Sequence, residues 1–171
     1  MKTFQRVVLF RCALLMLLLL PLCGGIVSVF AQGTTPLSYF PTFNGGINAI
    51  AVDGNIIYVG GSFMQATNSA SNGGITLTRN RLAAIDGTTG ALLPWNPGAD
   101  NDVSSLAVNA STVYVGGGFS MVGGQARNRI AAVNASGAVT AWNPNANQQI
   151  YTIAVGNGVL YQFKSSIVHD N

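Results

Sequence analysis

One stretch of this chain is written twice, and that repeat constrains the fold more tightly than length or composition does. Ile47 to Asp102, INAIAVDGNIIYVGGSF…RNRLAAIDGTTGALLPWNPGADND, returns from Val103 to Gln149 as VSSLAVNASTVYVGGGFSMVGGQARNRIAAVNASGAVTAWNPNANQQ. A third copy opens at Ile150 with IYTIAVGNGVLY and leaves the pattern after Tyr161. The copies begin 56 and then 47 positions apart. Of the nine extra residues in the first, eight lie between Phe63 and Arg79 and one in the turn between Ile85 and Trp95. A unit of this size cannot close a core alone, so successive copies must bury their apolar faces on one another.

Each copy contains four short apolar runs, which predict four strands. In the central copy they are Val103–Val108, Thr112–Gly116, Arg129–Val133 and Ala138–Trp142. Asn109-Ala110-Ser111 and its counterpart Asp53-Gly54-Asn55 read as hairpin links, because Asn, Asp and Gly tolerate positive φ. Asn134 to Gly137 and Asp86 to Gly90 join the third and fourth runs. Ile56-Ile57-Tyr58-Val59, Leu82-Ala83-Ala84-Ile85 and Ile130-Ala131-Ala132-Val133 are apolar on both faces, whereas a half-exposed sheet would alternate. Sheets stacked on sheets meet that requirement. The expectation is an all-β chain, a partial β-propeller of four-stranded antiparallel blades with a period near 47 residues. A parallel β-helix is the competing architecture, but its coils are usually shorter.

The remaining boundaries follow. Residues 1–31 read as a signal peptide: Lys2, Arg6 and Arg11 precede an apolar run from Cys12 to Leu20, and Val29-Phe30-Ala31 is a small-residue cleavage site. Cys12 to Ala31 is also long enough for a retained anchor, but Pro21 and Gly24-Gly25 interrupt it. A lipoprotein site at Cys23 is disfavoured by Leu22 just before it. Residues 32–46 are a linker ending in the last strand of a degenerate preceding unit, since Tyr39 and Pro41 align with Trp95 and Pro97. Residues 47–102 form the first repeat, with an inserted loop at 64–78 expected to be mobile and without structural duty. Residues 103–149 form the second repeat and 150–161 the start of a third. The divergent tail, 162–171, suggests a fragment of a larger protein with an open edge.

Repeated positions nominate structural anchors. Gly60-Gly61 and Gly116-Gly117 end the second strand, where a missing side chain permits a bulge or close backbone approach. Phe63 and Phe119 follow at matched offsets, and Tyr58 and Tyr114 precede them. Trp95 and Trp142, each followed by Asn-Pro, are large enough to bridge adjacent sheets; a sugar-stacking surface indole is the functional alternative. Arg79, Arg81, Arg127 and Arg129 are the only repeated charges. The two of each pair would share a strand face. They are candidates either for bonding loop carbonyls and edge aspartates such as Asp86, or for gripping an anionic ligand or glycan carboxylate.

These motifs, Tyr-Val-Gly-Gly-x-Phe, Arg-Asn-Arg-[Ile/Leu]-Ala-Ala and Trp-Asn-Pro, resemble the bacterial delta-sixty β-propeller repeats over roughly Tyr39 to Tyr161. They resemble more distantly the repeats of fungal cell-surface polarity-marker ectodomains. The resemblance implies a secreted or surface-displayed propeller and supplies no catalytic residues. Ala84-Ile85-Asp86-Gly87-Thr88-Thr89-Gly90…Trp95 is also similar to the tryptophan-docking motif of quinoprotein dehydrogenases. There Trp95 comes one residue late, and Asn134 replaces Asp86 in the later copy.

Composition narrows the chemistry. There is no Glu, charged residues are 8%, and the only His is His169 in the tail. Beyond Ala31, five cations (Arg79, Arg81, Arg127, Arg129, Lys164) meet five aspartates (Asp53, Asp86, Asp100, Asp102, Asp170). The formal +3 thus belongs to the leader, and nothing points to nucleic acid, which needs a clustered basic face. Both cysteines also lie in the leader, so no disulfide or thiolate chemistry is available after cleavage. Asp100 and Asp102 are too few for a calcium site, and the glycine runs lack the GK[ST] of a phosphate loop. The sequons at Asn109 and Asn134 coincide with turns. No catalytic, cofactor or metal site is expected. The expected role is an exported, non-enzymatic module for binding or scaffolding, with protein or glycan partners at the cell surface and no membrane span after cleavage. The alternative is part of a carbohydrate-active or quinone-dependent propeller enzyme.

Overall fold

A computed structural model describes residues 39–164; the expectations for the leader and for the tail beyond Lys164 lie outside them. Regular structure among these residues is all β apart from one 3-10 turn, Ala70–Asn72. The strands of the first copy are β1 (Thr42–Phe43), β2 (Ile47–Asp53), β3 (Ile56–Gly61), β4 (Gln65–Thr67), β5 (Thr76–Thr78) and β6 (Leu82–Asp86). The second copy contributes β7 (Val103–Asn109), β8 (Thr112–Gly117), β9 (Met121–Val122), β10 (Gln125–Ala126) and β11 (Ile130–Asn134). The third contributes β12 (Ile150–Gly156) and β13 (Val159–Lys164).

The two complete copies build the same antiparallel sheet, ordered β2-β3-β6 in one and β7-β8-β11 in the other, while β12 and β13 pair alone. Two-residue turns set each first hairpin. Asn157-Gly158 and Ala110-Ser111 have positive φ at both central positions, the geometry whose twist matches that of paired strands. In all three units the register slips near the start of the first strand, at Ile47/Ala49, Val103/Ser105 and Ile150/Thr152. This bulge lies opposite the glycine pair in the first two units, where Gly61 and Gly117 stand against the carbonyls of Gly46 and Asp102. Ser62 N donates to Gly46 O, and Gly118 N to Asp102 O, both at 2.9 Å.

The sheets have three strands rather than four. The fourth apolar run makes only one bridge per unit, Ile85 to Leu92 and Val133 to Val139. Its last ladder bonds run from Leu93 N to Ala84 O and from Thr140 N to Ala132 O, both 2.8 Å. Two causes stop it there. Pro94 has no N–H to continue the first ladder, and the carbonyls of Leu93 and Thr140 are each taken by an arginine, Arg79 and Arg127.

The insertion at 64–78 is a hairpin with structural duty, which corrects the expectation of a dispensable loop. β4 pairs β5 on one side and β1 on the other. Ala66 is fully buried. Asn68 Oδ1 accepts from Leu92 N at 2.9 Å, and Asn72 Nδ2 donates to the carbonyls of Tyr39 (3.2 Å) and Thr89 (2.8 Å). The second unit has the same hairpin in miniature, β9–β10. Cutting the insertion back to the length of Ser120–Ala126 will cost about 1–3 kcal/mol, since buried backbone groups lose their partners. The shift of the urea midpoint measures this, and an unchanged midpoint would return the insertion to the status of a spare loop.

The main core lies between the first two sheets. Tyr58, Leu82, Ala84 and Trp95 of the first unit face Val103, Leu106, Val113, Val115, Ala131 and Val133 of the second. A second cluster joins Ile130 to Ile150 and Ile153. A third, on the opposite face of the first sheet, packs Val59, Phe63, Ala83 and Ile85 with Phe40 and Phe43. Sheets buried on both faces explain the continuous apolar runs.

Candidate functional site

The seam between the first two units holds Tyr58, Gly60, Trp95 and Phe119 among the repeated residues. Gly60 in β3 faces the next unit so closely that a Cβ there would sit 2.5 Å from Val103 Cγ1. Gly116 in β8 repeats this against β12, where a Cβ would lie 2.7 Å from Ile153 Cδ1 and 2.8 Å from Ile150 Cγ2. Absent side chains on one strand thus form sockets for branched side chains on the next. Asn48 Nδ2 crosses the seam to Val103 O at 3.1 Å. Phe119 is buried in the main core and Phe63 in the outer cluster, its ring 4.6 Å from that of Phe43.

The aromatic anchors differ between copies. Trp95 is 5% exposed, stands edge-on to Tyr58 with centroids 5.0 Å apart, and donates from Nε1 to Asn134 O at 3.0 Å. It therefore ties the end of the first unit to the turn after β11. Trp142 makes the corresponding ring contact to Tyr114 at 5.5 Å but is 38% exposed. Burial, and after it the Asp53 carboxylate, raises the pKa of Tyr58.

The arginine pairs do not share a strand face. Arg81 and Arg129 have φ of 65° and 64°, a left-handed kink just before β6 and β11 that sends the two side chains of each pair apart. Arg79 donates to Leu93 O at 3.0 Å and Thr78 O at 2.9 Å; Arg127 donates to Thr140 O at 2.7 Å and Ala126 O at 2.7 Å. Arg81 reaches Ala99 O, and Arg129 reaches Ala146 O, both at 3.1 Å. Asp102, rather than Asp86, is the acidic partner, with Oδ1 3.5 Å from Arg81 Nε. The buried Nε atoms of Arg79 and Arg127 have no hydrogen bond among the described residues. Burial lowers the pKa of Arg79. Four guanidinium groups are thus backbone clasps, two to a unit.

Asp100 and Asp86 are clasps as well. Asp100 Oδ1 accepts from Ser120 N and Met121 N at 2.9 Å each, and Oδ2 from the Ser120 hydroxyl at 2.5 Å. Burial alone would raise its pKa, but these hydrogen bonds outweigh it and lower it. Asn44 does the same work in the first unit, accepting from Met64 N and Gln65 N at 2.9 Å. The 56-residue offset that aligns Asn44 with Asp100 was the signal for this cap. Asp86 Oδ1 accepts from Thr88 N and Thr89 N, shaping the turn before Trp95, and Asn134 Oδ1 plays that part in the second copy. The turn-and-tryptophan pattern is therefore a device for joining units.

A shallow cleft of about 270 Å³ opens on this seam, lined by Ile56, Tyr58, Leu93, Trp95 and Ser136 among others. Its walls suit an apolar or aromatic group. No cluster of three or more His, Cys, Asp or Glu suited to a metal occurs among the described residues.

No family model matches this chain, and neither does any curated protein. Among solved structures it is similar to the computationally designed Ika4 protein, at 13% identity and a TM-score of 0.42, over 77% of this chain and 93% of that one. It is also similar to the computationally designed Ika8 protein, at 15% identity and a TM-score of 0.37, over 68% of this chain and 42% of that one. The described residues form small antiparallel sheets, and the residues repeated between units serve to hold those sheets together.

Proposed function

We propose that this chain is an exported, non-enzymatic module of the delta-sixty type, its sheets the blades of a propeller and its outer loops a surface for binding or scaffolding. One observation carries the reading. The repeated arginines and the Asp100 and Asn44 caps all bind backbone, so the polar residues common to both units serve the frame. What differs between the units is the outer hairpin, long in the first and short in the second. The long one presents exposed Met64 at its base, and exposed Ile75 next to the paired hydroxyls of Thr67 and Thr76 at its far end. A surface of that kind suits a protein or glycan partner at the cell surface, with apolar contact flanked by hydroxyl hydrogen bonding.

Glycan arrays and display of extracellular proteins against the exported chain test this. Ile75→Asn with Met64→Gln should weaken binding to any ligand found by roughly tenfold, at unchanged melting temperature, because both side chains are exposed. Undiminished binding would remove the hairpin from the proposal, and catalytic turnover of a bound glycan would overturn the non-enzymatic reading.

A further inference from the structure

Among the described residues, the interface that joins one unit to the next is made twice, and the side chains of each of its halves also stand exposed once. Ile47, Ile50 and Val52 stand in β2 where Val103, Leu106 and Val108 stand in β7, and Ile150, Ile153 and Val155 in β12. In the later units these positions meet the preceding sheet. Val103 and Ile150 are fully buried, and Leu106 and Ile153 are 8% exposed. In β2, by contrast, Ile47 is 45%, Ile50 61% and Val52 58% exposed. Phe40 and Phe43 cover the neighbouring β3 and β6 positions of that face but not these three side chains. At the other end, Val159 and Tyr161 of β13 are each 49% exposed. Tyr161 pairs Ala154 in the register that pairs Tyr58 with Ala51 and Tyr114 with Ala107, and Tyr58 is buried against the following unit.

The geometry points to head-to-tail association of this chain with a second copy, the β2 face of one molecule seated on the β13 face of the next. The occupant follows from the repeat: within the chain, a β2-type face is covered by the back of the preceding hairpin, β2 with β3 or β7 with β8, and a second copy offers such a back in β12 and β13. One register position differs, since Phe163 stands where Gly60 and Gly116 provide sockets. The contact is therefore not a third replica of the glycine interlock and rests on Ile50 and Val52 against Val159 and Tyr161. Such a contact is heterologous, with different surfaces on the two partners, so it propagates until it closes or extends.

The test uses the full-length gene product recovered from the exported fraction, with Ile50→Lys and Tyr161→Lys as single variants. The parent should sediment as a dimer or larger at roughly 100 μM, and each variant as a monomer weakened by roughly 30-fold or more. Mixing the two variants should restore a dimer that grows no further, because each keeps the face the other has lost. That rescue also shows that both are folded; Val52→Lys and Val159→Lys stand in if either is not. A monomeric parent, or a mixture of folded variants that stays monomeric, would overturn the proposal. So would a Tyr161→Lys variant that still dimerises through its β2 face, which would mean a two-fold symmetric pair.

Discussion

Alanine at Gly117 will cost the fold roughly 3 kcal/mol or more, while alanine one position later, at Gly118, will cost less than about 0.5 kcal/mol. The three consecutive glycines look alike in sequence and stand in three environments. At Gly117 a Cβ would run into the carbonyl of Asp102, a backbone group already accepting from Gly118 N at 2.9 Å. Neither strand can give way without breaking that bond. At Gly116 a Cβ meets Ile153 Cδ1 and Ser105 Oγ, both at 2.7 Å. Those are side-chain tips that can shift, so roughly 1–3 kcal/mol is expected. At Gly118 the nearest atom is Gln149 Cδ at 3.6 Å, an ordinary contact. Urea titration of the three variants should rank them in that order. Equal losses at all three would mean that general stiffening, rather than the atoms each added Cβ would meet, sets the cost. Against a total stability of about 5–15 kcal/mol for an ordinary domain, the first change alone removes a large share.

The two tryptophans should separate as sharply. Trp95→Ala is expected to cost about 3–5 kcal/mol, since it empties a packed seam and removes the bond to Asn134 O. Trp142→Ala should cost roughly 1 kcal/mol, because its indole is already 38% exposed. The chain has only these two tryptophans, so each variant leaves a single fluorophore. Trp95 alone should emit toward the blue and resist acrylamide, while Trp142 alone should emit toward the red and be readily quenched. Comparable losses and comparable quenching would contradict the difference in burial.

That difference marks how far the sequence could be read. The all-β class was legible because the apolar runs are short, β-branched and bounded by turn residues, and the hairpin links at Asn109 to Ser111 and Asp53 to Asn55 carry strong local signals. The fourth strand was overread. Ala138 to Trp142 has strand composition, but whether its carbonyls join a ladder depends on Arg127, which arrives from 13 positions earlier. The outer hairpin was missed for the opposite reason. β4 and β5 are three residues each, too short for an alternating pattern to show. The left-handed backbone at Arg81 and Arg129 was illegible too, since arginine carries no preference for it. The Asn44 and Asp100 caps were within reach, as the repeat offset alone pairs them. Exposure at Ile50 against burial at Leu106 lay beyond any single copy, because it depends on what precedes the unit.

The glycine sockets also bear on how the chain emerges during synthesis. The socket at Gly60 is filled by Val103, some forty residues downstream, and the one at Gly116 by Ile150 and Ile153. A newly made unit therefore completes its own ladders before its back is sealed, and the seal arrives with the first strand of the unit after it. Consolidation should trail translation by one unit throughout. The nascent chain carries one exposed apolar back forward at each stage, and a pause between units leaves that back available to whatever chaperone stands nearest.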